Sequence, residues 1–391
     1  MHILLAPDSF KESLSAVQVA EALKEGFSQA LPEATFDLLP IGDGGEGTVA
    51  ALVSAMKLKE FRHWVTGPFG QPVEMKYARQ DQLALFEMAD LVGLALIPKE
   101  KRNPLSLETR GLGELILYLA ENGVRKILVG VGGSATNDGG IGMAAGLGYE
   151  FFDENNHRLR PVGSSLGRVA RISAERVPTF LNNIGIEILT DVSNPLCGQQ
   201  GATQIFGRQK GLSEWLLSSV DQEMRKFYEL ANPQIFTQAG AGAGGGMAAG
   251  LVTFAKGKVV PGIDTCLDLL DFDHRVKEAD LVVVGEGRMD KQSLAGKAPV
   301  GIARRTPKEI PVLAICGSLA DDLPPFPSEN IHAAFPIISQ VADLDVTLAQ
   351  ARENLVRTAR NIGNLLAIKK ESGTEIGNSL EFDFVVPPLH S

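Results

Sequence analysis

Continuous runs of hydrophobic residues recur along the chain, each followed by polar or turn-forming residues. The runs Ile3–Ala6, Leu281–Val284 and Val312–Ile315 predict strands covered on both faces, as in a parallel sheet. Between them, apolar positions near helical spacing predict helices. The other predicted strands are Phe36–Ile41, Ile127–Val131 and Ile186–Leu189, and the predicted helices are Val49–Met56, Leu112–Glu121, Ser213–Leu230 and Val346–Lys369. This alternation predicts the α/β class.

The first predicted helix carries its own start signal. Ser15 and Gln18 have the spacing of a capping box, in which each side chain bonds the other's backbone amide. Val19, Leu23 and Phe27 follow at intervals of four and share one helix face.

The pattern changes between residues 61 and 89. Three extended runs, Phe61–Val65, Val73–Arg79 and Leu83–Met88, are separated by turn residues and predict an antiparallel meander. We therefore predict a doubly wound, Rossmann-like domain from residues 1–60 and 280–370, with a large α/β domain, 61–279, inserted in it. Residues 371–391 do not continue the helical pattern, and we predict a disordered or appended tail.

Length and charge narrow the class of protein. A chain of 391 residues exceeds the size at which one core stops growing, so two domains are expected. The net charge of −10 disfavours nucleic acid and membrane partners but leaves room for a small anionic substrate. The three cysteines are far apart, and the N-terminus has no secretory pattern. We predict a cytoplasmic protein and leave a homo-oligomer open.

The 42 glycines concentrate in loops beside predicted strands. Asp8, Ser9 and Lys11 follow the first strand, where Lys11 at a helix entrance can meet an anion; a plain helix cap is the alternative. The segment Gly42–Thr48 holds four further glycines around Asp43 and Glu46, which suits close approach to a hydroxylated ligand or a metal.

The segment Gly132–Gly140 has the strongest composition for anion binding. Its consecutive Gly132 and Gly133 amides can form an anion nest, and the Ser134, Thr136 and Asn137 side chains add hydrogen-bond donors. A long surface turn is the alternative.

Two later loops add charge. Asp191 follows the strand Ile186–Leu189, a placement that suits a general base or a magnesium ligand, and Arg208 and Lys210 supply cations downstream. After the strand Leu281–Val284, the loop offers two glycines, two acids and a lysine: Gly285, Gly287, Glu286, Asp290 and Lys297. Either loop alone is also compatible with a solvated turn.

Two common motifs are absent or weak. The pattern GxxxxGK[ST] does not occur, which excludes a P-loop NTPase. Gly130-x-Gly132-x-x-Ala135 matches the dinucleotide fingerprint only loosely, so an NAD-dependent dehydrogenase of a small hydroxy acid stays an alternative, as does a nucleotide-binding regulator without catalysis.

Taken in order, the loops resemble the type-1 bacterial glycerate kinases. The matching segments are 6–15, 43–48, 132–140, 191–196, 240–243 and 285–290, which read APDSFKESLS, DGGEGT, GGSATNDGG, DVSNPL, GAGA and GEGRMD. Arg208 and Ser293 stand where the family usually has Pro and Thr. The resemblance implies Mg²⁺-assisted phosphorylation of D-glycerate by ATP to 2-phosphoglycerate, with 3-phosphoglycerate as the alternative product. It also implies a Rossmann-like domain with an insert described as restriction-enzyme-like.

We assign roles to the loops as a hypothesis. The catalytic residues are Asp191, Lys11 and Lys210. The nucleotide-binding residues are Gly132, Gly133, Ser134, Thr136, Asn137, Gly285, Gly287 and Lys297. Substrate binding is assigned to Asp8, Ser9, Asp43, Glu46 and Arg208, and metal binding to Asp191, Glu286 and Asp290.

Overall fold

The computed structural model describes residues 1–42, 44–291, 293–295, 297–340 and 342–371. In this part of the chain the strands are β1 (His2–Pro7), β2 (Thr35–Leu38), β3 (Lys59–Thr66), β4 (Pro72–Gln80), β5 (Leu83–Glu87), β6 (Lys126–Gly130), β7 (Glu150–Phe152), β8 (Arg171–Ser173), β9 (Gly185–Thr190), β10 (Lys258–Pro261), β11 (Leu281–Gly285), β12 (Arg288–Met289), β13 (Val312–Cys316), β14 (Ser318–Leu319) and β15 (Ala333–Pro336). The α-helices are α1 (Ala16–Ala30), α2 (Thr48–Met56), α3 (Ala89–Val92), α4 (Arg110–Glu121), α5 (Ile141–Gly146), α6 (Ala202–Phe206), α7 (Leu217–Ala231), α8 (Ala243–Ala255), α9 (Gly262–Leu269), α10 (Phe272–Arg275), α11 (Ala298–Arg305), α12 (Leu344–Ala349) and α13 (Ala351–Glu371).

Five strands form a parallel sheet in the order β15-β13-β11-β1-β2. Alternate residues of β1 pack on opposite faces: Ile3 and Leu5 join the hydrophobic cluster with α1 and α13, and Leu4 and Ala6 join the cluster with α9 and α11. Helices therefore cover both faces, as the continuous apolar runs predict. Numbered within the sheet, the strand order is 2-1-3-4-5, the flavodoxin-like order, and it reverses direction between β1 and β11.

Six strands form a second, mixed sheet in the order β10-β9-β6-β5-β4-β3. The predicted meander is present as the antiparallel strands β3, β4 and β5. However, β5 also pairs in parallel with β6, so the meander is the edge of this larger sheet. The structure is thus a mixed α/β fold with parallel sheets, as expected.

One hydrophobic cluster joins the two sheets. Leu85, Leu128 and Leu189 of the second sheet pack in the same cluster as Leu4 and Val282 of the first. The core therefore crosses the boundaries drawn from the sequence at residues 60 and 280, and the division into two domains stays a prediction.

The predicted cap of the first helix is present, whereas the predicted closing helix is divided in two. The Ser15–Gln18 capping box is present at the start of α1. The single helix predicted at Val346–Lys369 is wrong, because the chain forms α12 and α13 on either side of Gln350. The predicted tail from residue 372 onward lies outside the described residues. None of the described helices is long and apolar enough to cross a membrane.

Candidate active site

Two cavities lie on either side of the segment Ser9–Ser13, which follows β1. The first cavity has a volume of about 830 Å³ and opens at the carboxyl ends of β6 and β9. The second has a volume of about 620 Å³ and lies at the carboxyl ends of β1, β11 and β13. Open α/β sheets bind ligands at this edge, near the point where strand order reverses, which lies here between β1 and β11.

Lys210 is buried in the wall of the first cavity. Its side chain reaches from the turn after α6 to the Gly132–Gly140 segment, where Nζ donates hydrogen bonds to Ser134 Oγ and to the Thr136 carbonyl oxygen, each at 2.8 Å. The residue is 3% exposed. Burial lowers the pKa of Lys210 to about 7, although the nearby Asp138 carboxylate opposes the shift.

The buried Asp138 carboxylate lies near Lys210 and holds the glycine-rich segment by hydrogen bonds. It accepts hydrogen bonds from Thr109 Oγ1 at 2.6 Å and from the amides of Gly140 and Gly142. Burial raises the pKa of Asp138, while these hydrogen bonds and the Lys210 charge favour its ionised form. Asp138 thus fixes the turn at the start of α5, and its charge faces the Lys210 ammonium.

Glycines let the loops of the first cavity touch. A Cβ atom at Gly44 would lie 2.7 Å from the Thr190 carbonyl carbon, and one at Gly132 would lie 2.7 Å from the Glu46 amide nitrogen. Gly133 has φ +65°, and a Cβ there would lie 2.7 Å from Glu46 Oε2. The Glu46 side chain is therefore packed on the Gly132–Gly133 backbone, next to the loop that carries Asp191.

Glu87, at the end of β5, holds the segment that carries Glu46. Its carboxylate accepts hydrogen bonds from the amides of Gly47 at 3.3 Å and Val49 at 2.9 Å, at the start of α2. Burial raises the pKa of Glu87 to about 7, although both backbone hydrogen bonds act in the opposite direction.

The second cavity is lined by acidic, basic and apolar side chains that come from different elements. Glu286, Asp290 and Lys297 lie on the side of β11, and Ile338 and Leu344 lie on the side of α12. Ser293 donates its amide to Asp290 Oδ1 at 3.1 Å, which fixes that carboxylate. Charged and apolar walls in one cavity suit a ligand with an anionic end and a flat, weakly polar end.

The structure brings most of the predicted site residues to one cavity or the other. Those that line the first cavity are Ser9, Lys11, Glu46, Gly132, Gly133, Ser134, Asp191 and Lys210. Those that line the second are Asp8, Ser9, Lys11, Glu286, Gly287, Asp290 and Lys297. Ser9 and Lys11 therefore face both. Gly285 ends β11 beneath the second cavity, where its carbonyl accepts the Asp8 amide at 2.9 Å.

Besides Gly285, three predicted residues line neither cavity. Thr136 and Asn137 are fully buried, and Asn137 Nδ2 donates to Thr203 Oγ1, so neither side chain reaches a cavity. The Arg208 side chain is 63% exposed and forms an ion pair with Glu214 at 2.7 Å. The short helical turn after Gly207 directs Arg208 outward and Lys210 inward. Asp43 lies outside the described residues.

The predicted metal ligands are divided between the cavities. Asp191 lines the first cavity, whereas Glu286 and Asp290 line the second. Among residues whose placement is described, no three His, Cys, Asp or Glu side chains form a group that could hold a metal ion. Two carboxylates in a cavity still fit Mg²⁺, which is usually held by one or two carboxylates together with substrate phosphates.

The family model described as the glycerate kinase family matches residues 3–367. The chain belongs to this family. A glycerate kinase of Neisseria meningitidis is 55% identical over 370 residues, covering 95% of this chain and 100% of the relative. The glycerate 2-kinase of Escherichia coli is 40% identical over 375 residues, covering 94% and 98%. The crystal structure of a candidate glycerate kinase 2 from Salmonella typhimurium LT2 matches with a TM-score of 0.82 and 37% identity, covering 95% of this chain and 99% of that chain. The resemblance seen in the sequence, and the prediction of an enzyme of this family, are confirmed.

Three residues at the two cavities were missed from the sequence. Glu87 and Asp138 support the first cavity, and Asn354 lines the second. The first two had a signal, since Glu87 ends a predicted strand and Asp138 lies inside the glycine-rich segment. Asn354 had none, because a polar residue in a closing helix normally faces solvent.

Proposed function

We propose that this protein transfers the γ-phosphoryl group of ATP to the 2-hydroxyl group of D-glycerate, giving ADP and 2-phosphoglycerate. The observation that carries the proposal is the wall shared by the two cavities: Ser9 and Lys11 face both of them. A phosphoryl group attached to a ligand in one cavity then has a short path to an acceptor in the other. The glycerate kinase relatives support the choice of acceptor.

We assign glycerate to the first cavity and ATP to the second. The first cavity presents Lys11, the buried Lys210 and the backbone of Gly132 and Gly133, which suit a small carboxylate. The second combines Lys297 with apolar groups of α12, which suit a nucleotide. This assignment moves Gly132, Gly133 and Ser134 from nucleotide binding, as predicted from sequence, to glycerate binding.

Catalysis in this arrangement is positioning and charge stabilisation, as is general for phosphoryl transfer. The glycerate hydroxyl oxygen forms a bond to the γ-phosphorus as the bond from that phosphorus to the β–γ bridging oxygen breaks. Asp191 accepts the proton of the attacking hydroxyl. Lys11, on the shared wall, stabilises the negative charge of the transferring group.

Mg²⁺ fits the carboxylates of the second cavity. Glu286 and Asp290 would hold the ion together with the nucleotide phosphates, and the ion would neutralise phosphate charge. Since Asp191 lines the other cavity, we assign it to proton transfer rather than to the metal.

The test is a coupled assay of ADP release with D-glycerate, ATP and MgCl₂, followed by phosphorus NMR of the product. We expect turnover with D-glycerate, none when it is replaced by 3-hydroxypropionate, which lacks the 2-hydroxyl, and a resonance for 2-phosphoglycerate. A resonance for 3-phosphoglycerate would show that the other hydroxyl is the acceptor. Hydride exchange with NAD and no ADP release would establish the dehydrogenase, and ATP binding without turnover would establish the regulator. The cytoplasmic location, a homo-oligomer and the restriction-enzyme-like description of the insert stay predictions.

A further inference from the structure

Asn354 is a buried polar residue in the wall of the second cavity. It lies in the first turn of α13, where its backbone N–H donates a hydrogen bond to the Gln350 carbonyl oxygen at 3.0 Å. The residue is only 7% exposed and lines the cavity. Within the described ranges, nothing is hydrogen-bonded to its side-chain amide. The amide atoms are not among the fully enclosed unpaired side-chain atoms, so they keep some exposure to the cavity. A ligand there can supply the hydrogen bonds that the protein does not.

Apolar side chains of α12 and of the segment after β15 line the same cavity. Ile337 and Ile338 follow β15, and Leu344 and Leu348 belong to α12. Leu344 is 67% exposed and Ile338 is 42% exposed, so both side chains can be covered by a ligand. A flat aromatic ligand between these side chains would remove apolar surface from water.

Charged groups lie on other elements of the wall. Asp8, Glu286, Asp290 and Lys297 belong to the loops after β1 and β11. The cavity therefore combines groups that suit phosphate and metal with apolar side chains and the Asn354 amide.

From this arrangement we infer that Asn354 recognises the edge of the adenine base, and that Ile338 and Leu344 cover the faces of the ring. The inference rests on the proposed function and adds the residue that selects the nucleotide. The asparagine amide has a donor and an acceptor side by side, and adenine presents an acceptor at N1 beside a donor at N6. Asn354 was not among the predicted site residues.

The segment Ser9–Ser13 fixes the position of this surface. Ser13 Oγ donates a hydrogen bond to the Leu348 carbonyl at 2.8 Å, across 335 positions of sequence. This bond joins α12 to the segment that carries Lys11. It therefore fixes the position of the base-binding surface relative to the site of phosphoryl transfer.

The first test is Asn354→Leu, which keeps the side-chain volume and removes both hydrogen-bonding groups. We expect the KM for ATP to rise about tenfold, the effect of one lost hydrogen bond in a buried site, with the KM for D-glycerate unchanged. The melting temperature should be unchanged, since the Asn354 side-chain amide makes no hydrogen bond within the described residues of the free protein. The matched control is Asn361→Leu, the same change on an exposed position of the same helix.

The second test is Asn354→Asp, whose carboxylate only accepts hydrogen bonds. It should lower kcat/KM for ATP and raise it for GTP, because guanine presents donors at N1 and N2. We expect the ATP-to-GTP preference to fall about tenfold or more. On the apolar surface, Leu344→Ser should raise the KM for ATP, and Val346→Ser on the same helix should not.

The outcomes are distinguishable. If wild-type protein does not turn over ATP with D-glycerate, the proposed function fails, whatever the variants do. If it does, and both Asn354 variants keep the wild-type KM and nucleotide preference, the inference is overturned. A rise in the KM for D-glycerate alone would overturn it too, since it would place glycerate in the second cavity.

Discussion

The Nζ atom of Lys210 donates a hydrogen bond to Oγ of Ser134, 2.8 Å away, across 76 positions of sequence. The bond holds the buried Lys210 ammonium group against the glycine-rich segment 132–140, in the wall of the first cavity. Because burial lowers the pKa of Lys210 to about 7, the charge of this group changes within the physiological range.

We predict that kcat/KM for D-glycerate falls as pH rises through about 7, because Lys210 is charged below its pKa and neutral above it. In Lys210→Met, activity should be lower by about a hundredfold, the effect of removing one charge-stabilising donor, and this limb of the profile should disappear. Lys24→Met, an exposed change on α1, is the control. An unchanged profile in Lys210→Met would assign the titration to another group.

Asp191→Asn should lower kcat by about a hundredfold or more, the usual contribution of a general base. The asparagine cannot take the proton of the glycerate hydroxyl, although it preserves the size of the side chain. The KM for ATP should stay near the wild-type value, because Asp191 lines the other cavity. Asp81→Asn, at an exposed turn between β4 and β5, is the matched control. Steady-state kinetics on both variants would reject the assignment if Asp191→Asn turned over at the control rate.

Gly133→Ala tests the contact between the glycine-rich segment and Glu46. At φ +65° an alanine is strained by about 1–2 kcal/mol, and its Cβ would lie 2.7 Å from Glu46 Oε2, so Glu46 must move. The comparison is Gly70→Ala, at φ +86° with nothing within 4 Å of the Cβ. Denaturant unfolding should show a similar loss of stability in both variants, and only Gly133→Ala should raise the KM for D-glycerate. A raised KM in both would trace the effect to general loss of stability.

Glu87 makes a contribution to stability that depends on pH. Its pKa is raised from 4.5 to about 7 in the folded protein, so the folded state binds the proton more tightly than the unfolded state. The stabilisation is complete below about pH 4.5 and is lost as pH rises through about 7, a change of about 3 kcal/mol. The unfolding free energy of wild type should therefore fall relative to that of Glu87→Gln as pH rises over this range. Parallel curves would contradict the shift.

Local signals in the sequence predicted local structure. Ser15 and Gln18 lie within one helical turn, so their spacing alone defines the cap. The composition of the glycine-rich loops likewise indicated segments that the structure brings to one cavity or the other. Both kinds of signal depend on residues that are close in sequence or adjacent to strand ends.

Other features depend on packing between distant segments. The burial of Lys210 and the outward direction of Arg208 depend on how one short helical turn lies against residues 134–136. Asn354 is a helix residue whose environment is set by α12 and the loops after β1 and β11. Asp191 and Glu286 are separated because they follow strands of different sheets. The sequences of the loops do not predict the order of the strands.

The segment Ser9–Ser13 lies between the two cavities and lines both. A ligand that displaced it from one side would change the space available on the other, and the hydrogen bond from Ser13 to Leu348 would transmit the displacement to α12. Thermodynamic linkage makes such an effect mutual: whatever factor ATP imposes on the affinity for the acid, the acid imposes on the affinity for ATP. Displacement of Ser9–Ser13 would therefore couple the affinities of the two cavities for their ligands.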